Sequence, residues 1–277
     1  MAHITAVDTR RRPRPRVSLH GIRREATRVR LSLAAGLRLG EPVTVAAVAL
    51  VALSVYFVML PGVDLAVTRL FYSPGSGFPL SGDVVLKALR QSSTYALLMI
   101  VLGLLGEVAV GLRTKAGRFR HYSRRAVVLL AGLAIGPGLI VNGLLKSAWG
   151  RPRPVQVDLF GGEAAFTPAW TISDGCARNC SFVSGEASSA AWMVAAVWLM
   201  TPPEWRRWTV PAALTYGAAL SVNRMAFGGH FLSDTLLSWA IIGLVLAVLH
   251  RLMLACPVEA RRARRALRQR ARGLQAA

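Results

Sequence analysis

Acidic side chains are scarce in this sequence. Thirteen Asp and Glu stand against 34 Lys and Arg, giving a formal net charge of +21. Charge of both signs is also thin, at 17% of 277 residues, where a soluble domain carries about 25%. That excludes an ordinary water-facing surface over most of the chain. Only three cysteines and five histidines occur, and none share metal-ligand spacing, so no metal and no cofactor is expected. There is no internal repeat and no low-complexity linker. A cleavable leader is not expected either, because the first apolar run starts near Pro42, too far in and too long for a signal-peptide core. It is expected to remain as an anchor.

What the sequence has instead is apolar length. Hydrophobic residues make up 53% of the chain, mean hydropathy is +0.43, and the apolar residues come in blocks, as in membrane proteins. Six candidate spans are read at 43–60, 95–112, 126–145, 187–200, 208–222 and 235–253. The fourth and fifth fall short of the ~20 residues that cross a bilayer. The basic residues flank these blocks: ten arginines in 1–40, six Lys or Arg in 113–125, eight arginines from Arg251 onward. Such clustering follows the positive-inside rule and argues against nucleic acid as partner. The expected organisation is a basic cytoplasmic tail over 1–40, a six-span all-α domain over 41–255 and a basic cytoplasmic tail over 256–277. The run 261–272 reads as a solvated topology signal, with a basic surface helix as the alternative. Segment 61–94 reads as two short interfacial helices, with 84–89 in the second, joined by a Gly/Pro turn. Trp205 and Trp208 suit an interfacial belt.

Three polar clusters then fall on one side of this topology, the extracytoplasmic side. The first is Lys146-Ser-Ala-Trp-Gly-Arg151-Pro-Arg153-Pro154, the second Ser181-Phe-Val-Ser184-Gly185-Glu186, and the third Asn223-Arg224 through His230 to Asp234. Phosphoryl transfer needs cations and N–H donors around nonbridging oxygens, an in-line nucleophile and a proton for the leaving group. Lys146, Arg153 and Arg224 supply cations, and the amides of Ser184 and Gly185 can form an anion nest ahead of a helix. His230 and Asp234 are four apart, which puts them on one helix face; Asp234 is expected to hold the Nδ1–H and leave Nε2 free to attack phosphorus. Arg151 has no evident partner and reads as loop charge. Glu107, an acid within the second span, reads as a structural contact away from the site. Cys176 and Cys180 suit a disulfide in that compartment, with free thiols as the alternative, and Cys256 is expected to be unpaired.

The spacing K-x6-R-P at Lys146, Arg153 and Pro154, followed by Ser184-Gly185 and by R-x5-H-x3-D at Arg224, His230 and Asp234, resembles the type 2 phosphatidic acid phosphatase superfamily. The resemblance implies six membrane helices and a metal-independent phosphatase acting through a phosphohistidine. It implies a lipid phosphate as partner, the substrates in question being lipid A, undecaprenyl pyrophosphate, phosphatidylglycerol phosphate or phosphatidic acid. Lipid A and undecaprenyl pyrophosphate lead, given the outward site and basic loops of a bacterial inner-membrane protein. A lipid phosphotransferase and a silent binder of anionic lipid are the alternatives. Asn223 stands where the family has Ser, and Val183 and Glu186 stand where it has the Pro and His of P-S-G-H. Glu186 is thus expected at the proton donor's position.

Overall fold

The structure, a computed structural model, describes residues 41–114 and 117–255, with the backbone alone over 117–121. The tails read at 1–40 and 256–277, the surface helix at 261–272 and Cys256 lie outside the described residues. Those that are described form seven α-helices of eight residues or more and no strand: α1 Pro42–Met59, α2 Gly62–Arg69, α3 Val84–Arg113, α4 Gly117–Leu133, α5 Gly185–Met200, α6 Arg206–Ala226 and α7 Leu232–His250.

Four of these are long and apolar enough to cross a membrane: α1, α3, α4 with its continuation (Tyr122–Ala148), and α7 with its continuation (Leu232–Ala255). The first of them buries only Phe57 and exposes Val45, Val48, Val51, Val55 and Val58, which suits a lipid-facing helix. At 16 residues, α5 is roughly 24 Å long, short of a ~30 Å hydrocarbon core. Arg206, Arg207 and Arg224 bracket a short apolar stretch in α6. Helix α5 is mostly buried, whereas α6 buries only its second half, from Gly217 onward, and exposes Trp208 and Leu214. Along α5, Ala187, Ser188, Ala190, Trp192 and Ala196 are all buried, and Trp192 Nε1 donates to Leu129 O across 2.8 Å.

One expectation is corrected here. Residues 84–89 are not a separate interfacial helix but the first turns of α3, which runs unbroken for 30 residues. Asp83 caps it, accepting from Leu86 N at 2.8 Å. Its length is about 45 Å, so its polar first turns stand beyond the hydrocarbon.

The helix that begins as α4 widens over Ala134–Leu145, around Pro137. Proline has no N–H to donate and its ring crowds the preceding turn, and such wide turns are the usual relief. Gly132 and Gly136 let α7 approach closely: a Cβ on either would strike Leu246 or Ile242. The widened turn ends at Lys146, the first residue of the site. Glu107 lines a cavity of about 750 Å³ with Leu104, Tyr122 and Met200. It lies 17 residues beyond Arg90 on α3, about 25 Å along the axis.

A second, smaller apolar cluster of Phe78, Val157, Phe160 and Phe231, with Tyr72 packed against it, lies under the loops at the other end. It seats the segments that carry the site. Gly228 has φ +62° and no room for a Cβ against Phe78, so only glycine fits there.

Candidate active site

The three polar clusters converge at that end. Residue by residue, the structure places them in two layers.

The deeper layer is ionic and buried. Arg151, fully buried, donates from Nη1 to Asp234 Oδ1 at 2.6 Å and to Ser233 Oγ at 2.8 Å, and from Nη2 to Asp64 Oδ2 at 2.8 Å. Its Nε donates to Thr167 O at 2.8 Å, and its guanidinium lies 4.4 Å from the Phe231 ring centre, within cation–π range. Asp64, on α2, also accepts from Ser233 N (2.8 Å) and Ser233 Oγ (2.6 Å). Burial pushes the Asp64 carboxyl up, and Arg151 is the leading pull in the other direction. The other oxygen of Asp234 accepts from Ser181 Oγ at 2.5 Å and Phe231 N at 2.9 Å. The reading of Arg151 as unpartnered loop charge is therefore corrected: it joins three segments of the fold.

His230 sits at the upper edge of this layer and is 2% exposed. Its Nδ1 is 2.8 Å from Ser181 O. A carbonyl can only accept, so Nδ1 carries the proton and Nε2 the lone pair. Asp234 was expected to take that proton's hydrogen bond. It lies 3.8 Å from Nδ1, too far for one, because Arg151, Ser181 and the Phe231 amide already orient it. Its influence on the imidazole is electrostatic. Burial holds His230 down at about 4, although Asp234 pulls the other way and Lys146 and Arg224 add to the lowering. The ring is neutral at neutral pH.

The shallower layer is cationic. Arg224 is 4% exposed and its guanidinium donates no hydrogen bond among the described residues. Its Nε lies 3.3 Å from Glu186 Oε2. Gly229 leaves space for it, since a Cβ there would strike Arg224 Nη2 and Cζ. Gly185 does the same for Lys146, whose Nζ would lie 3.2 Å from an added Cβ, with Asn142 Oδ1 at 2.8 Å. Lys146 Nζ donates to Asn179 Oδ1 (3.4 Å), while Arg153 Nε and Nη2 donate to Asn179 O (3.1 and 2.7 Å). Cys176 and Cys180 are disulfide-bonded, and the loop they close presents Asn179 to both cations. Burial, and next the nearby charge of Arg90, hold the Arg153 guanidinium below its ordinary range.

Two further expectations change. The Ser184 amide donates to Asp234 O at 3.1 Å and its hydroxyl caps α5, accepting from Ala187 N at 3.2 Å. An anion nest at this point loses the Ser184 amide. Glu186 is held by two guanidiniums, Arg90 Nε at 3.0 Å and Arg224 Nε at 3.3 Å. Asp64, Arg90, Asn142 and Asn179 were not singled out in the sequence. Among the described residues no group of His, Cys, Asp and Glu could hold a metal ion.

Residues 125–256 match the PAP2 superfamily. The chain is 36% identical over 211 residues to a lipid A 4'-phosphatase of Rhizobium etli, covering 72% of this chain and 82% of that protein. It is 33% identical over 205 residues to one of Francisella tularensis subsp. novicida and 34% over 215 residues to one of Rhizobium leguminosarum; each alignment covers 72% of this chain and 90% of the relative. No solved structure matches it.

The buried layer makes two predictions. Arg151→Met should destabilise the protein by about 3–5 kcal/mol, because it strands two buried carboxylates. Arg151→Lys should not restore it, because an ammonium lacks the planar fork that serves both acids. Thermal unfolding in detergent measures this, and a wild-type midpoint in Arg151→Met would sink the assignment. Second, ¹⁵N-histidine NMR should show His230 uncharged at pH 6 and protonating near pH 4. The sign for stability follows. The unfolded ring, with its ordinary value of 6.5, takes up a proton before the folded one. This contribution is therefore complete above pH 6.5 and is lost as pH falls towards 4. Protonation of the folded protein's His230 near 6.5 would refute it.

Proposed function

We propose, for a chain that belongs to the PAP2 superfamily, hydrolysis of a lipid phosphomonoester through a phosphohistidine on His230. Membership makes the chain a phosphoric monoester hydrolase of the lipid phosphatase kind. Lipid A is the favoured substrate, since the relatives that align with 72% of the chain are lipid A 4'-phosphatases.

One observation carries the reading. A neutral imidazole, proton on Nδ1, stands beside a buried carboxylate and within electrostatic reach of a buried guanidinium, Arg224, whose Nε makes no hydrogen bond. The Nε2 lone pair attacks phosphorus while Lys146, Arg153 and Arg224 take the nonbridging oxygens. The N–P bond forms as the P–O bond to the lipid breaks, a water molecule protonates the departing lipid oxygen, and the imidazole gains positive charge, which Asp234 stabilises. The hydroxide left by that proton transfer then attacks phosphorus, releasing hydrogen phosphate and neutral His230. Glu186 fits the holding of Arg90 and Arg224 better than proton donation, because it would have to leave both guanidiniums to act as an acid.

Phosphate release from lipid A by the purified protein tests this. His230→Ala and His230→Asn should lose essentially all turnover while folding normally, and activity within a few fold of wild type in either would refute the mechanism. In the same assay Glu186→Gln should lose activity equally on lipid and aryl phosphates. A proton donor would instead show a loss of ~10²–10⁴ that shrinks for the better leaving group.

The membrane arrangement belongs to the same proposal. The six-span reading, with α5 and α6 completing the bundle and both termini inside, puts the site at the extracytoplasmic face of a bacterial inner membrane. It is supported by the basic run at 113–125, at the opposite end of α3 from the site. Cysteines introduced beside Arg153 should react with an impermeant reagent from outside intact cells, and a cysteine in place of Arg118 should not. The reverse pattern would overturn the sidedness.

A further inference from the structure

Beside the cation layer lies a cleft of about 340 Å³ lined by Lys87, Arg90, Gln91, Ser93, Thr94 and Glu186. It opens between the first turns of α3 and the start of α5. Its polarity is out of place on a helix that otherwise faces lipid, since the residues that follow on α3 include exposed Tyr95, Leu98, Met99 and Leu102. The excess length of α3 puts the cleft at the depth of lipid head groups.

The cleft is fixed to the site at two points. Asn223 Nδ2, next to Arg224, donates to Leu86 O at 2.7 Å. Glu186 joins Arg90 on the cleft wall to Arg224 in the phosphate layer. Whatever fills the cleft is therefore adjacent to the scissile phosphate. Among the described residues Arg90 donates only through Nε, so its two terminal nitrogens face the cleft's contents or water. Lys87, Gln91 and Thr94 are exposed.

We propose that this cleft is the head-group subsite, taking the hydroxyl-rich sugar of a glycolipid while its phosphate sits on Lys146, Arg153 and Arg224. The inference rests on the lipid-phosphatase reading above. The lining chemistry selects the ligand class. Amide, ammonium, guanidinium and hydroxyl donors stand with one carboxylate acceptor, a mixture that pairs with hydroxyls, which both donate and accept. A second phosphate would meet the Glu186 carboxylate, and an acyl chain would strand the polar lining.

The test uses lipid A and dodecyl phosphate, which share a phosphomonoester but differ in the sugar. Binding is measured in phosphatidylcholine nanodiscs on the His230→Asn protein, with and without Lys87→Ala and Gln91→Ala together. Hydrolysis is measured on the same pair of substitutions with His230 intact. The preference for lipid A over dodecyl phosphate should fall about tenfold in both Kd and kcat/KM, the effect of losing one or two such hydrogen bonds, and the loss should appear in KM. An unchanged preference, whether both lipids weaken together or neither does, overturns the subsite and leaves the phosphatase reading standing. A shifted binding preference in a protein whose His230 form hydrolyses neither lipid overturns the phosphatase reading and leaves the subsite standing.

Discussion

The double ion pair of Arg151 with Asp64 and Asp234 is the interaction on which the rest of the site depends. It takes one residue from the loop after α4, one from α2 and one from the first turn of α7, with no side-chain exposure on any of the three. A buried ion pair is weak evidence for stability, because desolvation offsets the attraction. Its value here is positional. Arg151 has a fixed planar fork, so the two carboxylates must come to it, and the helices that carry them must come with them. Ser233 closes the arrangement by accepting from Arg151 and donating to Asp64.

The shallower layer is tied to that frame through the segment 181–184. The Arg151 carbonyl accepts from Ser181 N at 2.9 Å, and the Asp234 carbonyl from Ser184 N at 3.1 Å. The segment 181–184 is thereby pinned between the loop and α7. The Ser181 carbonyl in turn fixes the tautomer of His230. The disulfide loop just before this segment presents Asn179 to Lys146 and Arg153. The cations come from four different segments, yet Lys146 and Arg153 rest on Asn179, two residues before the pinned segment, and Arg90 and Arg224 rest on Glu186, two residues after it.

Much of this site was legible in the sequence, and the reason is local spacing. Lys146, Arg153, Arg224, His230 and Asp234 lie in two short stretches whose intervals are set by helix geometry and by the turn at Gly228. What spacing cannot carry is pairing across the chain. Asp64 is 87 positions from Arg151 and Arg90 is 96 from Glu186, and neither acid nor base looks unusual where it stands. Helix α3 was divided in two for a related physical reason. Hydropathy registers the polar residues Lys87 to Thr94 as an interruption, whereas the backbone hydrogen bonds that define a helix are indifferent to them. The expected bond from Asp234 to His230 failed because the carboxylate had nearer donors that no interval of four could reveal.

The scarcity of acid in the chain acquires its meaning at this point. Three of its 13 carboxylates are in the site, and every one of them faces an arginine. Were they near the surface, they would repel a phosphate dianion. Asp64 and Asp234 are instead buried with Arg151, and the charge of Asp234 acts on His230. A neutral imidazole that attacks phosphorus becomes cationic, and carboxylates at short range in a low-dielectric interior are what lower the energy of that state. In the proposed mechanism the cations above perform the complementary task for the phosphoryl oxygens. Glu186 is the one acid that reaches the cation layer, and it does so only between Arg90 and Arg224. Charge in this site is sorted by depth, and His230 sits at the boundary, where the proposed attack would have positive charge developing on nitrogen and negative charge on oxygen each met by the opposite sign.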